Sequence, residues 1–178
     1  MQLKDRFPSR SEIFPVYSVI VFWSYTWSIL IFMFNLPSWI LLTRLGEILG
    51  YFSYGVVFTF FDTLLMLGLI LGTAFVLPCA WLRDDFVAVG SAIAGLLFFW
   101  VTIIQMTFGT LITWPASRFW LLLCAALASL IVSAVVIRRL PLLRKPILWL
   151  ASSAGIFVYI YGFITMFGIV VVLIRNVV

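Results

Sequence analysis

Long apolar runs separated by short polar turns dominate the chain, and none of them alternates with the two-residue period of a strand. The runs cover residues 14–36, 50–78, 86–112, 119–137 and 147–174. Each is about as long as a helix needs to cross a ~30 Å hydrocarbon core at ~1.5 Å per residue. In a bilayer, only helices and closed barrels satisfy every backbone polar group, and unbroken apolar runs favour helices. The pattern therefore predicts an all-α integral membrane protein, a bundle of five transmembrane helices forming one domain over residues 1–178. Pro37 is expected to end the first helix. After it, "SWILLTRLGEIL" (38–49) groups Thr43, Arg44 and Glu47 as a short interfacial helix would.

The ends of these runs carry their own signals. Ser9 and Glu12 have the spacing of a capping box, and Pro15 falls early enough to be tolerated near the start of a helix. Lys4, Arg6 and Arg10 before an apolar run resemble the opening of a signal peptide. The run is too long for one and has no small-residue cleavage site, so it reads as a retained span. "CAWLRDD" (79–85), "TWPASRFW" (113–120) and "RRLPLLRKP" (138–146) supply the later turns.

Composition narrows the class. The 178 residues are 65% hydrophobic and 10% charged, with mean hydropathy +1.25, whereas a soluble domain carries about a quarter charged residues. Lys and Arg are unevenly split between alternate turns. Lys4, Arg6, Arg10, Arg83, Arg138, Arg139, Arg144 and Lys145 fall on one side, against Arg44, Arg118 and Arg175 on the other. Positive residues accumulate on the cytoplasmic side, which predicts a multi-pass protein of the plasma (inner) membrane with a cytoplasmic amino terminus and an external carboxyl terminus. Trp39, Trp114 and Trp120 then mark the outer interface, and Trp81 and Trp149 the inner one. The +5 net charge needs no nucleic acid to explain it. Arg138, Arg139, Arg144 and Lys145 serve first as a topology signal, with anionic lipid heads as a further possible partner.

Against this background one residue is out of place. Asp62 lies in the middle of the second run, in "FTFFDTLLMLG" (58–68). A central aspartate costs roughly 2.5–3.5 kcal/mol on insertion scales, so it is expected to face the bundle. Tyr51, Gly55, Thr59 and Thr73 share its side of the helix. In the first run Tyr17, Ser24, Ser28 and Asn35 lie within about 20° of one line at ~100° per residue, and Ser24 and Ser28 match the depth of Asp62. Gln105, with Thr102 and Gly109, marks one side of the third run. Asp62, Ser24, Ser28 and Gln105 are thus the candidate intramembrane cluster, with Asp62 hydrogen-bonded to the other three as a neutral acid or carrying a proton or cation. Gly68 and Gly72, and the row Ala125, Ser129 and Ser133, are candidate helix-packing seams. Tyr159 and Tyr161 point in nearly opposite directions, so at most one joins an internal cluster.

The rest of the chemical inventory is sparse. There is no histidine, and the two cysteines, Cys79 and Cys124, have no metal-ligand spacing and sit at different depths, which excludes a disulfide between them. Both read as buried small hydrophobes. Asp84 and Asp85 beside Arg83 read as a solvated turn. No catalytic, metal or cofactor-binding residue is assigned, and no cofactor or enzymatic activity is expected. The first functional expectation is a non-enzymatic structural or accessory subunit packed against larger membrane proteins or a second copy. The alternative is a small proton- or cation-coupled transporter or channel using Asp62.

Overall fold

A computed structural model describes residues 8–76, 85–111 and 113–177, and these are helical nearly throughout. The helices are α1 (Arg10–Leu42), α2 (Leu45–Val76), α3 (Phe86–Leu111), α4 (Ala116–Arg139), α5 (Pro141–Ser153) and α6 (Gly155–Val177). With α5 and α6 taken together as one rod, five helices are long and apolar enough to cross a membrane. Residues 77–84, which hold Cys79, Trp81, Arg83 and Asp84 of the turn expected at 79–85, lie outside the described residues, as do Lys4 and Arg6.

Helix α1 starts where its sequence says it should. The Glu12 carboxylate accepts from the Ser9 backbone N–H at 2.7 Å and from its hydroxyl at 2.6 Å, which closes the amino-terminal end. The other end departs from expectation. Pro37 lies inside α1, which continues to Leu42. A helix-interior proline removes one hydrogen bond, here the one to the Met33 carbonyl, and the helix continues past that local loss. On either side of it Asn35 Nδ2 donates to the Ile31 carbonyl at 2.8 Å, and Ser38 Oγ to that of Asn35 at 2.9 Å. The break comes at Thr43, in an extended conformation, whose N–H and hydroxyl both reach the Trp39 carbonyl, at 2.8 and 2.7 Å. The stretch 38–49 is therefore the end of α1 and the start of α2, and no separate interfacial helix forms.

Helix α1 is the centre of the bundle. It packs against α2, α3, α5 and α6, whereas α4 packs chiefly on α3. Near its amino-terminal end, Val16, Val19 and Ile20 are buried with Ile70 of α2, Phe86 and Val89 of α3, Ile137 of α4 and Ala151 of α5. A second cluster joins Val21 and Tyr25 of α1 to Val56 of α2 and Tyr161 of α6. The rings of Tyr25 and Tyr161 stack with centroids 4.6 Å apart, and the Tyr25 hydroxyl is hydrogen-bonded to that of Thr165. Tyr161 is buried and Tyr159 is 66% exposed, so one of the two tyrosines joins the interior.

Close approach occurs at glycines other than the sequence's GxxxG pair. A Cβ on Gly90 would come within 3.2 Å of Val16, and one on Gly168 within 3.3 Å of the Ser53 carbonyl. Gly68 and Gly72 are exposed, and a Cβ on either would meet nothing within 4 Å. Among the described residues, nothing packs on the GxxxG seam. In the α4 row, Ser129 accepts a 2.8 Å hydrogen bond from the Trp100 indole of α3, Ser133 is half-buried and Ala125 is exposed. Cys124 is exposed too, contrary to its reading as a buried residue. The outward faces of apolar helices expose even such small side chains.

Charge is arranged at the helix ends. Arg144 binds both carboxylate oxygens of Asp85 at 3.0 and 2.8 Å, and also donates to the carbonyls of Ile137 and Arg138, tying the carboxyl end of α4 to the start of α3. Of the four cations around the α4–α5 turn, Arg144 is thereby turned inward, while Arg139 and Lys145 stay exposed. At the opposite end of the bundle, Asn176 of α6 donates to the Tyr54 hydroxyl of α2 at 2.8 Å.

Candidate functional site

Because α1 lies between α2 and α3, those two helices barely touch along part of their length. What remains is a cavity of about 420 Å³ floored by α1 and walled by α2 and α3. Its polar lining is Ser24, Ser28 and Trp27 from α1, Thr59 and Asp62 from α2, and Gln105 from α3. All four candidates from the sequence line this one space. Every lining residue sits well inside its helix, between 24 and 31 of α1, 59 and 69 of α2, and 98 and 105 of α3. The cavity opens sideways, between α2 and α3, and Asp62 and Gln105 on its walls are both exposed.

The hydrogen bonding within this cavity is uneven. The Trp27 indole N–H donates to the Gln105 carbonyl oxygen, which links floor to wall and leaves the amide nitrogen free to donate. The Thr59 hydroxyl donates to the Gly55 carbonyl at 2.8 Å, one turn back on its own helix. Ser18, Thr63, Thr73, Ser133 and Thr165 do the same. Ser24 does not. Its residue is 5% exposed, and its Oγ is buried with no hydrogen-bond partner among the described residues. Asp62 also has neither a hydrogen-bond nor an ion-pair partner among the described residues. The expected bonds from Asp62 to Ser24, Ser28 or Gln105 do not form. The helix carries the carboxylate to the rim of the groove, and α1 and α3 stand on one side of it only.

Two contributors were not identified from the sequence. Trp27 orients Gln105, and with Phe98 it separates this cavity from a smaller, apolar one of about 270 Å³ lined by Trp23, Leu30, Gly95 and Phe99. Its signal was available, since a mid-helix tryptophan lies away from the interfacial belts where tryptophan is usual and its N–H needs an acceptor. Tyr25, one residue after Ser24, lies about 100° around α1, toward α6, and supplies the interhelical hydrogen bond that Asp62 does not.

The chemistry available is that of recognition. One carboxylate, two serine hydroxyls and an amide converge on a space whose remaining lining is apolar, the usual composition of a binding site. Among the described residues, no three His, Cys, Asp or Glu side chains come together.

These contacts separate the roles of two polar residues. Asp62→Leu removes no bond made among the described residues, and it exchanges an exposed carboxylate for an apolar side chain. Its thermal stability in detergent should therefore equal or exceed that of the wild type. Tyr25→Phe deletes the bond to Thr165 and should lower stability by about 0.6 kcal/mol, the average for interhelical bonds of this kind. An Asp62→Leu protein less stable than Tyr25→Phe would mean that Asp62 is bonded inside the bundle. No protein-family model, curated protein or solved structure matches the chain.

Proposed function

We propose that this chain is a multi-pass protein of the plasma membrane that acts as a non-enzymatic subunit, taking a helix of another membrane protein into the groove beside Asp62. The observation that carries this reading is the sideways exposure of Asp62 at mid-helix without a partner among the described residues. In a bilayer that position faces hydrocarbon, where an aspartate costs roughly 2.5–3.5 kcal/mol. Protein cover offsets that cost and lipid does not. The exposed glycines Gly68 and Gly72 on the neighbouring face of α2 support the same reading, because close helix packing in membranes favours small residues.

A second reading is supported by the convergence of Ser24, Ser28, Asp62 and Gln105 on one cavity, which suits a proton or cation site. Against it, the cavity's lining is confined to the middle of three helices. Subunit and transporter are separated by native electrophoresis of membranes from the source cells. The subunit reading expects this chain to run within a larger assembly and Gly72→Leu to release it. A particle holding this chain alone, with solute flux abolished by Asp62→Asn, would establish the transporter instead.

The proposed orientation places the amino terminus in the cytoplasm, on the same side as the Arg138–Lys145 cluster. Single cysteines at 44, 118 and 138, in a chain carrying Cys79→Ser and Cys124→Ser, test it. A membrane-impermeant thiol reagent added to intact cells should label positions 44 and 118 and spare 138. Labelling at 138 before permeabilisation would reverse the orientation.

A further inference from the structure

Asp62 belongs to a longer row on α2. Half-buried Gly55 and exposed Phe58, Asp62, Leu65, Leu69 and Gly72 follow one another at steps of three and four residues. That repeat is the signature of a seam that receives a second helix at a shallow left-handed crossing, the commonest geometry among membrane helices. Phe58, Leu65 and Leu69 are 65%, 65% and 55% exposed, and a Cβ on Gly55 or Gly72 would touch nothing within 4 Å. Among the described residues, no helix occupies the seam. From Gly55 to Gly72 it runs about 26 Å at ~1.5 Å per residue, close to the thickness of the hydrocarbon core. The cavity beside it reaches only from Thr59 to Leu69 on α2. A small ligand would fill the cavity and leave both glycines unexplained, whereas a spanning helix accounts for the whole length.

The polar groups specify what that helix brings to the level of Asp62. Asp62 offers two acceptor oxygens, and Ser24, nine-tenths buried and lining the same cavity, has an unpartnered hydroxyl. A lysine ammonium has three donors and an arginine guanidinium five, and either would bond the carboxylate. The ring of Phe98 on the cavity wall suits the apolar stem of such a side chain. A second copy of this chain cannot supply the cation. Its Lys and Arg residues lie at 4–10, 44, 83, 118, 138–145 and 175, none of them in the middle of an apolar run. Resting on the subunit reading above, we infer that the groove's occupant is a membrane-spanning helix of a different protein with a lysine or arginine at the depth of Asp62.

The test uses the full chain, fluorescently labelled at its carboxyl terminus, in nanodiscs of zwitterionic lipid. The probes are two synthetic leucine–alanine spanning peptides with small residues along one seam, identical except for Lys or Leu at the central position. Energy transfer should report binding of the Lys peptide about tenfold tighter than the Leu peptide. Asp62→Asn should erase that preference, and Gly72→Leu should weaken both peptides. Asp62→Leu serves as a second variant, and circular dichroism confirms that each is folded. Equal binding of both peptides, still blocked by Gly72→Leu, would overturn the basic partner and leave the docking reading standing. Failure of both peptides to bind would overturn both. Energy transfer between differently labelled copies that depends on Asp62 would overturn the claim that the occupant is a different protein.

Discussion

Packing around α1 is the constraint from which the other features follow. A single 33-residue helix contacts four of the other five, and its buried face is built from small and β-branched side chains such as Val16, Val19, Ile20 and Val21. Gly90 lets α3 approach Val16, and Ser53 of α2 meets Gly168 of α6 at similarly short range. Once α2 and α3 are both seated on α1, its diameter holds them apart. The space between them is floored by whatever α1 presents there, which is Ser24 and Ser28. The groove is thus a direct consequence of the helix arrangement, and the polar residues of three separate sequence stretches meet in it because they share a depth.

The two polar clusters of the bundle illustrate opposite solutions to the same problem. Toward α6, the rings of Tyr25 and Tyr161 stack and the Tyr25 and Thr165 hydroxyls are hydrogen-bonded where they are buried. Toward the groove, Trp27 and Gln105 are paired, but Asp62 is at the rim and Ser24 is buried, both without a partner among the described residues. Buried polar groups are costly unless paired, and a partly satisfied network is less favourable than an apolar one. Such a network is stable when a further group completes it. That reasoning underlies the proposed docking role and is independent of the exposed apolar surface, which any membrane helix shows to lipid.

The periodicity of the chain was enough to find the five long apolar helices and to place Asp62, Ser24, Ser28 and Gln105 near one another. Helical spacing fixes which residues share a face, and the count of residues from each turn fixes their depth. What could not be read was which faces meet. Gly68 and Gly72 reveal that close approach is sterically possible, but not that α6 would use Gly168 instead. Asp62 was expected to face inward on grounds of cost, yet that cost falls on the assembled state and says nothing about which chain provides the cover. Pro37 was overvalued as a terminator because its missing hydrogen bond is a local loss, while the bonds made by Asn35, Ser38 and Thr43 are set by the helix that surrounds it. Arg144 looked like one member of a basic surface cluster, and only the fold brings Asp85 to it across 59 residues.

The central claim is that the α2 seam is open in the isolated chain and covered in its working state. A spin label at position 65 reports this directly, through its relative collision rates with lipid-soluble oxygen and a water-soluble nickel chelate. In the purified chain reconstituted alone, the label should be as accessible to oxygen as one at position 127 on the outer face of α4. In membranes that contain the native assembly, accessibility at 65 should fall while that at 127 holds. Unchanged oxygen access at 65 in the native membrane, or full shielding in the isolated chain, would contradict the account.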